Sequence, residues 1–176
     1  MLKLVLVLAF SATLIHAQAP KSEKPKGAAE PGTFVTPAEM TEELRTAPNQ
    51  AAHLIDRPVR VIEAGTHQIG VAIVKRTDAD QGALVHDKID EIYYVLEGGG
   101  TIVTGGKLVN EEHTGTSPTI GPGWKGTAIQ GGETRRLNAG EIVMIPAGTP
   151  HMFTKLDGPI RYLIYRVDPG DVLALK

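Results

Sequence analysis

Gly140-Glu141-Ile142-Val143-Met144-Ile145-Pro146-Ala147-Gly148-Thr149-Pro150-His151 is the stretch that decides the fold. Gly140-Glu141 makes a turn, Ile142 to Ile145 reads as a buried strand, and Pro146-Ala147-Gly148 turns the chain again. His151 is thereby delivered at the start of the next strand. A second segment has the same plan: His86-Asp87-Lys88-Ile89-Asp90-Glu91 runs into Ile92-Tyr93-Tyr94-Val95-Leu96-Glu97-Gly98. Two imidazoles and a carboxylate at strand mouths are the ligand set of a two-histidine, one-carboxylate metal centre. Such a set suits divalent Fe, Mn, Zn, Ni or Cu. His86, Glu91 and His151 are therefore the candidate metal ligands. The competing reading is a solvated turn, which Asp87, Lys88 and Asp90 favour, and a surface histidine after a Thr-Pro turn.

Outward from these segments the pattern stays β. Val59 to Glu63, Gln68 to Arg76, Gly100 to Thr104, Arg135 to Asn138, His151 to Lys155 and Ile160 to Val167 join Glu91 to Glu97 and Glu141 to Ile145 as expected strands. Gly- or Pro-bearing turns separate most of them. Twenty glycines and twelve prolines in 176 residues suit many short strands. About eight strands with one exterior helix predict an all-β, antiparallel sandwich or small barrel. The helix is expected from Thr36, a cap, through Pro37 and Glu39, with Met40, Leu44 and Ala47 on one face and Pro48-Asn49 as its end. Between Val109 and Gln130 the chain is polar and Gly-rich, and it reads as a long loop with Trp124 as lid or rim.

Composition excludes several classes. Net charge is −2 with signs mixed, and no basic stripe interleaves with aromatics, so nucleic acid is not an expected partner. The absence of cysteine removes disulfides, thiolate sites and thiol nucleophiles. Lys3, the apolar run Leu4 to Ile15 and the small-residue exit through Ala17 and Ala19 have the form of a secretory signal peptide over residues 1–19. Cleavage after Ala17 competes with cleavage after Ala19, because Pro20 would follow the latter. An uncleaved anchor is the rival reading; the run is short for a bilayer span. Residues 20–34 read as a disordered linker and 35–176 as one domain. The expected location is secreted or periplasmic, with no membrane association after cleavage.

The two segments resemble the paired motifs of the cupin superfamily, small jelly-roll β-barrels. Motif 2, over 140–155, has Gly140, Pro146, Gly148 and His151 in the family's spacing, with Lys155 in place of the terminal asparagine. Motif 1, over about 84–98, matches in part. Glu91 and Gly98 have the right separation, and His86 falls on the second histidine. The first histidine would be Leu84, which binds no metal. The resemblance covers roughly residues 59 to 167. It implies a jelly-roll cupin β-barrel with a short N-terminal α-helix, and a homodimer.

Two functions follow from that resemblance. One is an exported metal-dependent enzyme, an oxygenase, isomerase or lyase, acting on a small organic molecule. The other is a non-catalytic extracytoplasmic protein that binds a small molecule or metal. Side chains 91, 93 and 95 share a strand face, so Tyr93 and Val95 should line the cavity behind Glu91, with Phe153 behind His151. Tyr93 is the candidate catalytic residue, as acid/base or positioning hydroxyl, against a packed core tyrosine. Asp87 or His67 could supply a fourth ligand. Arg135, Arg136, Arg161 and Arg166 read chiefly as surface charge, with an anionic substrate as the alternative.

Overall fold

The computed structural model describes residues 31–48 and 52–174. Its contacts separate Met1–Gly32 from Thr33–Lys176, and the elements below all belong to the second unit. The expected signal peptide, most of the linker and Asn49 lie outside the described residues. Helix α1 (Pro37–Arg45) precedes β1 (Leu54–Glu63), β2 (Gln68–Arg76), β3 (Ala83–His86), β4 (Asp90–Glu97), β5 (Gly99–Thr104) and β6 (Lys107–Val109). Then come β7 (Glu112–Ser117), β8 (Gly121–Gly126), β9 (Ala128–Gln130), β10 (Glu133–Asn138), β11 (Ile142–Ile145), β12 (His151–Leu156) and β13 (Ile160–Asp168). Among the described residues, no helix is long and apolar enough to cross a membrane.

Every ladder is antiparallel. Five strands form one sheet in the order β1-β2-β13-β4-β11, and six form a second, β10-β5-β12-β3-β8-β7. β6 and β9 make a small ribbon. The jelly-roll expectation takes the form of two facing sheets rather than one continuous ring of strands. Strand alternation explains the layering. On β2, Ala72 and Val74 point into the core between the sheets, with Val95, Ile102, Phe153 and Tyr162. Ile73 points the other way, joining Val59 and Leu163 under Met40 and Leu44 of α1. The helix thus covers the outer face of the five-stranded sheet.

The local signals for α1 hold. Thr36 Oγ1 accepts the Glu39 N–H at 3.3 Å, and the Glu39 carboxylate accepts the Thr36 N–H at 2.8 Å. That capping box satisfies two otherwise orphaned donors, and Pro37 has no donor to lose. β1 starts at Leu54, earlier than expected, and runs through Pro58. Proline is tolerated there because β1 is a sheet edge and its register shifts between Pro58 and Arg60.

Two expectations fail. Residues 109–130 are not a loop: β7, β8 and β9 occupy most of the stretch. Their sequences lack apolar alternation because both β7 and the outer parts of β8 face solvent, and β8 approaches β3 through glycine. A Cβ on Gly123 would lie 2.1 Å from the Val85 carbonyl oxygen, so only glycine fits opposite His86. The strand Ile142 to Ile145 is also not buried throughout. Ile142 and Met144 are exposed and only Ile145 is fully buried, because β11 ends the five-stranded sheet and one face looks outward.

Candidate metal centre

The chain crosses from one sheet to the other between His86 and Glu91. His86 ends β3 in the six-stranded sheet, while Glu91 is the second residue of β4 in the five-stranded sheet. His151 opens β12, beside β3, directly across from Leu84. The motif 2 turn then clamps the two segments together. Gly148, at φ +78°, donates its N–H to the His86 carbonyl at 2.8 Å. Ala147 donates its N–H to Asp90 Oδ1, also at 2.8 Å. Asp90 is therefore a latch between motifs, not merely a solvated turn residue.

The clamp brings the three sequence candidates together. His86 Nε2 lies 3.5 Å and His151 Nε2 3.6 Å from Glu91 Oε2. All three donor atoms fall within 4.8 Å of one another, and all three residues are buried. Metal–ligand bonds of about 2.0–2.2 Å at tetrahedral to octahedral angles require donors roughly 3–3.6 Å apart. The two separations from Glu91 fit a first-row ion. So does the donor chemistry. His151 Nδ1 lies 3.0 Å from the Thr149 carbonyl, which can only accept, so Nδ1 carries the proton and Nε2 presents its lone pair. Burial, foremost, lowers the His151 pKa and keeps the imidazole neutral against the pull of Glu91. These residues could hold a transition metal; the donor set leaves its identity open.

Glu91 is 1% exposed. Burial works against its ionisation, yet the His86 contact and the positive field of Arg166 hold its carboxyl well below the usual range. Arg166 Nε donates to Glu91 Oε1 at 3.0 Å, and its two Nη atoms reach Asp56 at 3.2 and 2.5 Å. Tyr93 donates its hydroxyl to Glu91 Oε2 at 2.8 Å. Burial and the adjacent Glu91 charge push the Tyr93 pKa well above the ordinary value. Tyr93 is thus a protonated donor that orients the carboxylate, and it is unsuited to act as a base at neutral pH.

Other candidates sort clearly. Leu84 shares the inward face with His86 and lines the cavity without adding a donor. Tyr93 and Phe153 line it as expected, whereas Val95 lies deeper in the core. Among the described residues, Asp87 and His67 stand outside the cluster. The Asp87 N–H pairs with the Pro122 carbonyl, and His67 sits in the β1–β2 turn against Thr66. Trp124 is no rim residue. It faces the outer side of its sheet, edge-on to His113 at 5.0 Å, and Ile120 borders the cavity instead. Arg136 pairs with Asp157 and Arg161 with Glu97, both at the surface. Arg166, read as surface charge, is 3% exposed. Its place could have been found from parity: Ile160, Tyr162, Ile164 and Arg166 alternate onto one inward face.

Two facing antiparallel sheets whose paired motifs interlock around a His–Glu–His cluster settle the architecture. The chain has a cupin fold. No protein-family model matches it, and no curated protein matches it. Solved structures do. The cupin domain of Schizosaccharomyces pombe Cnp3 aligns at 9% identity and TM-score 0.42, over 68% of this chain and 66% of that one. The DMSP lyase DddQ of Ruegeria pomeroyi aligns at 19% and 0.45, over 74% and 53%. An oxalate oxidase bound to glycolate aligns at 14% and 0.48, over 73% and 58%. The cupin cavity here measures about 50 Å³, and its lining mixes imidazole, carboxylate and arginine with aromatic walls.

Proposed function

We propose that this protein binds a divalent transition metal through His86, Glu91 and His151 and uses it to act on a small organic molecule. The observation that carries this reading is three buried donors converging within 4.8 Å of one another, with Leu84, which offers no donor, lining the same cavity. A structural site closes its coordination sphere with protein, whereas three donors leave positions for water or substrate. When bound, such an ion supplies a Lewis acid, or a redox centre if it is iron, manganese or copper. We read the activity as that of an oxygenase, isomerase or lyase.

The chain's own residues set up that site. Arg166 and Tyr93 grip both oxygens of Glu91, which fixes the carboxylate's direction. Thr149 fixes the His151 tautomer. Phe153, Ile102 and Leu84 exclude bulk water from the side facing the core. A non-catalytic binding protein is the second reading. It is favoured by the pairing of Asp56, the other carboxylate lining the cavity, with Arg166, which occupies it as an ion-pair partner. We further read the N-terminal segment as an export signal, giving a secreted or periplasmic protein, and the assembly as a homodimer.

Metal analysis of purified wild type, His86→Ala and His151→Ala tests the centre. One equivalent in wild type and at least a tenfold loss in each variant is expected. Full metal retention in both variants would refute it. Oxygen uptake against diols, phenols and keto acids then separates an oxygenase from a binder.

A further inference from the structure

A second buried arginine shares the cavity with the proposed ligands. Arg76 ends β2 on the inward face, is 8% exposed, and lines the same cavity as His86, Glu91 and His151. Unlike Arg166, it makes no ion pair among the described residues. Its Nη2 donates to Gln81 Oε1 at 2.6 Å, and its Nε is buried without a partner. The guanidinium carbon sits 5.2 Å from the centre of the Phe153 ring, which holds the planar group in place. Gln81 is an exposed residue at the cavity mouth, so it can yield its hydrogen bond to an incoming group.

Charge and size both narrow what that group is. A buried cation is costly unless it is paired. Arg166 is matched by Asp56 and Glu91, which leaves Arg76 uncompensated, and a divalent ion on neutral imidazoles adds further positive charge. The cavity of about 50 Å³ admits only a small group of a few heavy atoms. A guanidinium edge with a free Nε and a neighbouring Nη matches a carboxylate's two oxygens.

We propose that Arg76 is the anion-recognising residue of the site and that the substrate is a small carboxylate, clamped between Arg76 and the metal. The inference rests on the metal-centre reading above, and its test separates the two. Cobalt-loaded wild type, Arg76→Gln and Arg76→Lys are titrated with acetate, acetamide and inorganic phosphate, followed by calorimetry and the cobalt visible spectrum. Acetate should bind wild type at least tenfold more tightly than acetamide or phosphate. Arg76→Gln should lose at least tenfold in acetate affinity while keeping one cobalt per chain. Arg76→Lys, which keeps the charge but not the planar fork, should also lose most of that preference, and it serves if the glutamine variant does not fold. Equal acetate affinity in wild type and a folded, cobalt-loaded variant overturns the inference and leaves the metal centre standing. So does phosphate or acetamide binding as tightly as acetate. If wild type takes up no cobalt, the metal centre itself fails, and acetate-induced thermal shifts of the metal-free protein decide the role of Arg76. A shift present in wild type and lost in Arg76→Gln supports it, and equal shifts overturn it.

Discussion

The five-stranded and six-stranded sheets meet at one site but are built by different means. The five-stranded sheet has four long strands, β1, β2, β4 and β13, and its inward face mixes apolar side chains with the charges of Asp56, Arg76, Glu91 and Arg166. On β13 the row runs Ile160, Tyr162, Ile164, then Arg166 and Asp168, and on β4 Glu91 lies directly opposite Arg166. The six-stranded sheet has strands of at most six residues, carries both imidazoles and relies on glycine for close approach. One sheet contributes a charge network that holds a carboxylate; the other contributes lone pairs and space. The site's electrostatics therefore depend on side-chain pairing, and its shape depends on backbone proximity.

Substitutions that hit one sheet's device at a time can break this contrast. Arg166→Met should have the largest effect, leaving the buried Glu91 and the part-buried Asp56 without their shared cation. A cost of about 3–5 kcal/mol is expected in urea unfolding of the metal-free protein. A cost below about 1 kcal/mol would mean that the charge network does not hold the five-stranded sheet. Gly123→Ala attacks the other device: its Cβ meets the Val85 carbonyl and must push β8 away from β3. About 2–3 kcal/mol is expected, with weakened metal uptake because His86 shifts too. Unchanged uptake would show that β8 is dispensable to the site.

The aromatic floor sharpens the contrast at alkaline pH. Burial pushes the Tyr162 pKa up to about 12. Below the ordinary value near 10 the phenol is protonated in both states, and stability is at its full level. Between pH 10 and 12 the unfolded chain ionises first, so stability falls by roughly 2–3 kcal/mol as pH rises through that window. Denaturant midpoints that stay flat across pH 10–12 would contradict this. Thr36→Ala should have the smallest effect, about 1 kcal/mol, by opening the capping box of a helix outside both sheets. Circular dichroism and the unfolding midpoint measure it, and metal content should not change.

The legible parts of the sequence were those governed by local chemistry. The α1 cap follows from Thr36, Pro37 and Glu39 alone. The long strands of the five-stranded sheet follow from alternation, and the motif 2 turn from Pro146 and Gly148. β7 and β8 were hidden because glycine and polar residues with no apolar alternation carry no strand signal. Arg166 was hidden for another reason. Arginine is rarely buried, so the composition argument outweighed the parity that places it on the inward face. Trp124 misled in the opposite direction, since a lone tryptophan in a polar stretch does not reveal which face of an unrecognised strand it occupies.

By itself the sequence determined which residue types stand at which strand mouths, because capping, turn formation and alternation act over a few residues. It thereby nominated His86, Glu91 and His151; that Leu84 stands in place of a histidine is what the resemblance to the cupin motifs implies. Only the tertiary structure decided which charges face one another. Pairing β13 between β2 and β4 joins Arg166 to Glu91 and Asp56 and, among the described residues, leaves Arg76 without an acid, and no local rule fixes that. Ion pairing is a relation between residues distant in sequence, and it is settled only once the sheets have closed on each other.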